Sequence, residues 1–449
     1  MDTTAIFKAY DVRGTYPDQL NERVAEAVGS AFATFATSPR IVIARDMRTS
    51  GVALSESFAK GARAVGVDVV DLGLASTDFL YFASGYLGVP GAMFTASHNP
   101  AKYNGIKMCL AGAKPVGLET GLVDIEALTN RFYDTPLAGE SGSYSQLDLT
   151  KEWVVHVHSF ADVASFRPLK IVADTANGMG GFVAPLVFAG LPFDVEILYP
   201  ELDGNFPNHP ADPLSPDNIK DLQRRVLEVG ADVGLAFDGD ADRVFLIDEK
   251  AQPVSGSTTT AMVASVMLKR FPGATILYNL ICSKAVPEVI AEEGGVGVRT
   301  RVGHSYIKTV MAETGAVFGG EHSGHFYYRD NYRADSGIIT AFIVLELMSQ
   351  TNMPLSALVG PYQRYFDSGE INTKVMSPAK TVERVAKWLE DQSVNLDHLD
   401  GLTADYGSWW FNLRPSNTEP LLRLNLEAEN ETACQTHVDE VLNLLREIN

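Results

Sequence analysis

Three stretches of the chain repeat one pattern of apolar and polar positions. In each stretch, short β-branched runs alternate with helix-length segments in the order strand, helix, strand, helix, strand. The predicted strands cover residues 41–44, 67–70 and 91–95, then 171–173, 193–198 and 233–237, then 276–278, 297–300 and 316–318. Strands that alternate with helices indicate βαβ units and parallel sheets. Because the stretches differ in length, they are not the repeats of a fixed-period solenoid.

After about residue 365 the pattern changes to a shorter mixed region. A chain of 449 residues exceeds one ordinary core, and about 150 residues per domain suggests three or four domains. We predict an α/β protein with three similar βαβ-type mixed-sheet domains and a smaller C-terminal α+β domain around a central cleft. The predicted domains are residues 1–148, 149–250, 251–365 and 366–449.

A polar loop follows the third strand of each repeat. Open α/β sheets bind ligands at the carboxyl ends of their strands, so each similar domain is expected to present one reactive loop from an equivalent place. The loops comprise residues 96–100, 238–243 and 320–325.

The second loop carries Asp238, Asp240 and Asp242 at alternate positions, followed by Arg243. In an extended backbone such residues point to one side, so the carboxylates can converge on one hard cation such as Mg²⁺. A solvated acidic turn is the simpler alternative. An EF-hand is disfavoured, because the position that needs glycine holds Arg243 and the flanks are strand-like.

Ser97, in the first loop, is a candidate phosphate carrier, although serine in a turn is usually only a turn former. A catalytic pair with His98 is not expected, since neighbours on an extended chain point to opposite faces. A phosphate on Ser97 would offer oxygens to Mg²⁺ held by the aspartates.

Two further loops offer ligand-binding groups. Glu321, Ser323 and His325 are suited to vicinal sugar hydroxyls, with a structural histidine as the alternative for His325. The last loop joins a fixed cation to hydroxyl and amide donors, an arrangement that can clamp a phosphate or form a plain polar turn. Its residues are Arg414, Ser416, Asn417 and Thr418.

Composition excludes several classes of protein. The net charge of −20 argues against nucleic-acid and anionic-membrane partners. The N-terminus lacks a signal-like apolar core, and residues 338–345 form an apolar run too short to span a membrane, which predicts a buried helix. Three scattered cysteines support neither disulfides nor a zinc cluster, and His156 and His158 lack a third ligand. We expect a cytoplasmic protein, and the sequence leaves monomer or dimer open.

In order and spacing, these loops resemble the α-D-phosphohexomutase superfamily, specifically its bacterial phosphomannomutase and phosphomannomutase/phosphoglucomutase members. The segments at residues 7–14 and 103–107 match the same group. The resemblance spans the whole chain.

The resemblance implies roles for individual residues. Ser97 matches the phosphoryl-carrying serine, and the three aspartates match the Mg²⁺ ligands, with a phosphoserine oxygen completing the protein-derived sphere. Arg13, His98, Lys107 and Arg243 match polar positions around the transferring phosphate. Lys284 and His304 match positions near the reacting hydroxyl, where either could help deprotonate it. Glu321 and Ser323 match residues that grip the sugar's O3 and O4, His325 faces the sugar, and the Arg414 loop clamps the other phosphate.

The implied reaction interconverts mannose 6-phosphate and mannose 1-phosphate, and leaves the glucose pair open. It passes through a hexose 1,6-bisphosphate, which also serves as activator, with movement of the fourth domain as the expected gate. Within this resemblance, Asn417 disfavours a phosphoglucosamine mutase. The Ser-Gly-His arrangement of residues 323–325 disfavours a eukaryotic-type phosphoglucomutase. The competing hypotheses are a phosphoglucosamine mutase, a glucose-specific phosphoglucomutase, a pentose-phosphate mutase, a phosphatase and a non-catalytic sugar-phosphate-binding protein.

Overall fold

The computed structural model describes residues 3–137, 139, 141–390, 392, 394–415 and 421–448. All three repeats show the predicted alternation. In the first repeat, strands Arg40–Arg45, Asp68–Leu74 and Gly91–Phe94 alternate with helices Gly51–Ala64 and Thr77–Leu87.

The first sheet is mixed. Strand Arg40–Arg45 pairs in parallel with both Asp68–Leu74 and Gly91–Phe94, whereas Gly91–Phe94 pairs antiparallel with Tyr103–Leu110. The strand order is Val12–Thr15, Tyr103–Leu110, Gly91–Phe94, Arg40–Arg45, Asp68–Leu74 and Tyr144–Gln146, with Lys114–Pro115 paired to Tyr103–Leu110. The antiparallel turn between residues 94 and 103 holds the loop of Ser97.

Helices Glu22–Ala36 and Leu122–Asp134 complete the first repeat's layer. Phe32, Phe58 and Phe94 are fully buried in its core, and the rings of Phe58 and Phe94 meet edge to face at 5.3 Å. This apolar packing fixes the strand that leads into the serine loop.

The second repeat forms another mixed sheet. Its strands in spatial order are Pro253–Val254, Val244–Asp248, Val233–Phe237, Lys170–Asp174 and Asp194–Leu198. The helices are Thr150–His158, Gly180–Phe188 and Lys220–Val229. Phe237 pairs with Val244 across an antiparallel turn, so the aspartate loop is a tight connection between two fully buried strands.

In the third repeat, Thr275–Asn279 and Val296–Thr300 pair in parallel. Its other elements are helices Gly256–Arg270, Ala285–Glu292, His304–Thr314, Gly337–Thr351 and Leu355–Val359, and strands Phe318–Gly320 and Phe326–Tyr328. Residues 338–345 are buried within Gly337–Thr351, which confirms the predicted buried helix.

The C-terminal region is an antiparallel sheet covered by two helices, Pro378–Glu390 and Glu431–Ile448. The strand order is Phe366–Lys374, Leu421–Ala428, Trp409–Pro415, Leu402–Asp405 and Asn395–Asp397. Leu413, Leu424 and Val385 belong to its separate apolar core. The predicted fold class is confirmed.

By contacts the chain divides into two compact units. The first comprises Met1–Ser255, Gly303–Gly319 and Ser323–Leu358, and the second Gly256–Val302, Gly320–His322 and Val359–Asn449. The four domain boundaries stay a prediction. Within the described residues, length and apolarity let none of the helices alone cross a membrane, while the bent pair Gly337–Thr351 and Leu355–Tyr362 meets both criteria together.

Candidate active site

Ser97 lies directly against the aspartate loop, within the first unit. Its hydroxyl donates a hydrogen bond of 2.6 Å to Asp238 Oδ2, although 141 residues separate the two. Both residues are buried, with exposures of 5% and 0%. The fold therefore unites the serine loop of one repeat with the carboxylates of the next.

The approach of the two loops is closest at Gly239. A Cβ built on this residue would lie 2.4 Å from the carbonyl oxygen of Ser97, nearer than real contacts allow. Glycine is the residue that permits such a close backbone approach. Gly239 thus allows the short distance between the Ser97 loop and the aspartate loop.

Asp238, Asp240 and Asp242 converge as a carboxylate cage. One oxygen from each lies within 4.8 Å of the others, and all three side chains are buried. The nearby set Asp242, His325 and Asp335 meets the same spacing. Buried carboxylates need charge partners, because isolated ions are costly to desolvate.

Lys107 is one such partner. Its ammonium donates 2.7 Å hydrogen bonds to Asp240 Oδ2 and to Asp242 Oδ2. Burial acts to lower the pKa of Lys107, but the two carboxylates outweigh it and hold that pKa well above its usual value. The lysine therefore stays charged.

Within the described part of the chain, two oxygens of the cage accept no hydrogen bond. Asp240 Oδ1 and Asp242 Oδ1 are buried and accept no hydrogen bond from the described residues. Oxygen ligands of this kind suit a hard divalent cation, so the cage fits a metal ion. Burial raises the pKa of Asp238, while Lys107 overcomes burial and lowers the pKa of Asp240.

Arg243 joins the serine to the cage. Its Nε donates to Asp238 Oδ2 at 3.0 Å and its Nη2 to Ser97 Oγ at 3.2 Å. Arg243 is 2% exposed, and its guanidinium contacts the oxygen that would carry a phosphoryl group. This is the geometry needed to stabilise negative charge developing there.

His98 corrects one expectation. The extended-chain argument separated Ser97 from His98, but Ser97 has φ 49°, and its Oγ lies 3.3 Å from His98 Nδ1. The same Nδ1 is a partner of Arg243 Nη2. Burial, and then Arg243, lower the pKa of His98 well below its usual range, so the ring is neutral.

Arg13 borders the serine loop from the first strand. It donates to Asn99 Oδ1 at 2.8 Å and pairs with Asp11, with its side chain 20% exposed. Arg13 is thus a cation attached directly to the serine loop.

Three other predicted residues lie in the same unit. His325 Nε2 is 3.7 Å from Asp242 Oδ1, and its Nδ1 is 3.2 Å from Ser323 Oγ. His304 Nδ1 is buried with no hydrogen-bond partner in the described chain, and the ring meets Tyr10 edge to face at 5.1 Å. Desolvation lowers the pKa of His304 well below its usual value.

The remaining described candidates lie in the second unit. Glu321 accepts from Asn279 Nδ2 at 3.1 Å. Lys284 Nζ donates to Asp405 Oδ1 at 2.6 Å and to the carbonyl of Gly407 at 2.7 Å. Its ammonium is therefore engaged by that unit's own sheet.

Among the described residues, one buried donor of Arg414 has no acceptor. It pairs with Glu370 at 3.0 Å, but its Nε is buried and finds no partner among the described residues. Ser416, Asn417 and Thr418, the rest of the predicted phosphate clamp, lie outside the described residues.

Sequence reasoning missed the residues that hold the loops together. Thr77 donates to Asp240 Oδ2 at 2.6 Å, and its N–H donates to the carbonyl of Asp240 at 3.1 Å. Arg48 donates to carbonyls of the serine loop. Neither residue lies in a loop after a third strand, and the only signal for Arg48 was an arginine following a buried strand.

The chain is similar along its length to proteins of one known family. Models of the phosphoglucomutase/phosphomannomutase family match residues 4–132 as alpha/beta/alpha domain I, 151–252 as domain II, 255–365 as domain III and 370–444 as the C-terminal domain. The chain belongs to the phosphoglucomutase/phosphomannomutase family. It is thus an enzyme, a phosphohexomutase of the isomerase class, which confirms the predicted resemblance and enzyme class.

Full-length relatives agree. The chain is 40% identical to "Phosphohexose mutases" of Xanthomonas campestris pv. campestris (strain ATCC 33913), covering 99% of this chain and 100% of the relative. It is 37% identical to the phosphomannomutase of Escherichia coli K12, covering all of both. A solved family protein from Burkholderia thailandensis has a TM-score of 0.90 at 32% identity, covering 100% of this chain and 98% of that one.

Proposed function

We propose that this phosphohexomutase interconverts mannose 6-phosphate and mannose 1-phosphate, through a phosphoryl group on Ser97 and a hexose 1,6-bisphosphate. The observation that carries the proposal is the Ser97 hydroxyl in the carboxylate cage, 2.6 Å from Asp238. The phosphomannomutase name of the E. coli K12 relative supports mannose. The glucose phosphates are the second sugar pair to be assayed.

Asp238, Asp240 and Asp242 are the residues that would hold the metal, and their all-oxygen character favours Mg²⁺. When bound, the cation would supply positive charge to the oxygens of the transferring phosphoryl group. The two buried carboxylate oxygens without donors in the described chain support this assignment.

The chain's own cations would stabilise the remaining negative charge during transfer. Transfer breaks the bond between phosphorus and Ser97 Oγ and forms one to a free hydroxyl of the hexose phosphate. Arg243, 3.2 Å from Ser97 Oγ, stabilises the serine oxygen as it leaves. The bisphosphate then reorients in the site, and its other phosphoryl group is transferred back to Ser97.

The sugar hydroxyl must lose a proton in this step. Of the two bases that the resemblance suggests, His304 is better placed chemically. Its lowered pKa keeps the imidazole neutral, and its Nδ1 is free of any hydrogen bond from the described residues. Lys284, by contrast, is held by Asp405.

Sugar and distal phosphate binding stay predictions. Glu321, Ser323 and His325 would grip the sugar hydroxyls, and Arg414 with residues 416–418 would clamp the phosphate that is not transferred. The buried Arg414 Nε without a partner in the described chain supports an anion there. The cytoplasmic location and the bisphosphate activator are also proposals.

The test is a substrate panel with purified protein, Mg²⁺ and glucose 1,6-bisphosphate. Mannose 1-phosphate, glucose 1-phosphate, glucosamine 1-phosphate and ribose 1-phosphate are compared by kcat/KM, with released inorganic phosphate measured in parallel. We expect mannose 1-phosphate to lead and phosphate release to be slow. Hydrolysis as fast as isomerisation would mean a phosphatase.

Intact mass separates the enzyme from a sugar-phosphate-binding protein. After incubation with glucose 1,6-bisphosphate, the wild type should gain one phosphate and Ser97→Ala none. Phosphate retained in Ser97→Ala would move the carrier elsewhere.

A further inference from the structure

The carbonyl oxygens of the serine loop converge on one buried guanidinium. Arg48 Nη2 donates to the carbonyls of Ser97 at 2.7 Å and Asn99 at 2.6 Å. Its Nη1 donates to those of Pro100 at 3.0 Å and Tyr103 at 2.9 Å. Four main-chain acceptors in seven residues of sequence are thus satisfied by a single side chain that is 2% exposed.

The N–H of Ser97 is held within the loop, because it donates to Thr95 Oγ1 at 2.9 Å. Asp46 Oδ2 lies 3.3 Å from Arg48 Nε, and Asp46 Oδ1 accepts from the N–H of Arg48 at 2.9 Å. Asp46 therefore anchors Arg48, which holds the carbonyl of Ser97, while Thr95 holds the N–H of Ser97.

Ser97 needs this support because its backbone is left-handed, with φ 49°, a conformation that L residues seldom adopt. The carbonyl of Ser97 also faces Gly239 at close range. If the loop relaxed to an ordinary conformation, the hydroxyl would leave its 2.6 Å contact with Asp238.

Arginine suits this task better than lysine. A planar guanidinium presents five N–H donors in a fixed fork, whereas an ammonium is a point charge with three donors on a flexible stem. The ring of Phe206, with its centroid 5.2 Å from Arg48 Cζ, packs over the guanidinium. The four carbonyls and Asp46 surround it with acceptors.

We propose that Arg48 is a positioning residue for phosphoryl transfer: its guanidinium fixes the main chain of residues 97–103 so that Ser97 Oγ faces the carboxylate cage. The inference rests on Ser97 as the phosphate carrier of the proposed function. Arg48 acts through the serine, so its loss should lower the rate of transfer and leave sugar binding nearly unchanged.

The experiment measures kcat and KM for Arg48→Ala, Arg48→Lys and the wild type, together with thermal unfolding. Because a displacement of about 1 Å can cost about 100-fold in rate, we expect kcat of Arg48→Ala to fall about 100-fold with KM within about threefold. The rate at which glucose 1,6-bisphosphate phosphorylates Ser97, followed by intact mass, should fall in parallel.

Chemical rescue separates positioning from a general loss of structure. Millimolar guanidinium chloride should restore part of the kcat of Arg48→Ala, and the same concentration of sodium chloride should not. Arg63→Ala is the matched control, because Arg63 Nε also donates to a carbonyl, that of Gly142 at 2.9 Å, away from the serine loop. Its kcat should match the wild type with or without guanidinium.

The outcomes are distinct. A wild type without mutase activity and without phosphate on Ser97 overturns the proposed function and this inference with it. An active wild type with a folded Arg48→Ala of near-normal kcat overturns the inference alone. Should Arg48→Ala not fold, Arg48→Lys decides: low kcat at an unchanged melting temperature supports positioning, and wild-type kcat refutes it.

Discussion

Replacing Asp240 by asparagine removes one charge from the carboxylate cage and keeps its shape. Asp240 Oδ2 accepts from Lys107 Nζ at 2.7 Å and Thr77 Oγ1 at 2.6 Å, while Oδ1 has no donor within the described chain. The amide introduced at this position could take two orientations. Its oxygen could keep the bonds from Lys107 and Thr77 while its NH₂ turns towards the cage, or its NH₂ could face the Lys107 ammonium. The first orientation replaces a ligand oxygen by a donor, and the second leaves only a neutral ligand oxygen and sets two donors against each other.

The magnitude follows from these contacts. Losing one preorganised electrostatic group at a developing charge costs about 3 to 4 kcal/mol of transition-state stabilisation, or roughly 100- to 1,000-fold in kcat. Lys107 keeps its 2.7 Å bond to Asp242, so the ammonium is not stranded. The stability loss should then stay near that of one charged hydrogen bond, about 1.5 to 3 kcal/mol.

The assay compares wild type and Asp240→Asn by kcat at saturating Mg²⁺, by Mg²⁺ affinity in calorimetric titration, and by urea unfolding. Asp248→Asn is the matched control. Asp248 is also a buried aspartate of this sheet, but its Oδ1 accepts the N–H groups of Lys250 and Gln252, which an asparagine oxygen can do as well. Wild-type kcat and Mg²⁺ affinity in Asp240→Asn would refute the assignment of the cage as the metal site.

Three other predictions follow from single contacts. Arg414→Ala should raise KM for the hexose phosphate about tenfold or more, as expected for a lost charged hydrogen bond, and lower kcat less; steady-state kinetics with an unchanged KM would contradict the phosphate clamp. Gly239→Ala should lower kcat strongly, because its Cβ would meet the Ser97 carbonyl at 2.4 Å, whereas Gly360→Ala, with open space around it, should not. Burial raises the pKa of Asp78 to about 7, so its native carboxyl stays protonated at pH values where the unfolded chain, with a pKa near 4, has already ionised. The stability that Asp78 contributes therefore falls as pH rises from about 4 to 7, and Asp78→Asn should raise the melting temperature at pH 8 more than at pH 5; equal shifts at both pH values would disprove the linkage.

Much of the fold could be predicted because its signals are local. Alternating β-branched runs and helix-length stretches placed every predicted strand of the three repeats at a position that overlaps an observed strand. The antiparallel strands Tyr103–Leu110 and Val244–Asp248 were not placed, because pairing direction depends on the turns rather than on the apolar pattern. Those turns hold the serine and the aspartates.

The site was predictable where chemistry and spacing coincide, as for the aspartates. It was not predictable where backbone conformation decides. The left-handed φ of Ser97 invalidated the extended-chain argument about His98. Arg48 and Thr77 donate to carbonyl and carboxylate oxygens of residues that are distant in sequence. No local sequence pattern indicates such partners.

The position of Lys107 has a consequence for folding in the absence of a metal ion. Three acidic groups packed together would repel one another during folding, yet the Lys107 ammonium, from strand Tyr103–Leu110 of the first sheet, binds two of them at 2.7 Å. The polypeptide therefore carries an internal counter-ion and can assemble before any divalent ion arrives. We therefore expect a chelator to abolish the activity of the enzyme without unfolding it.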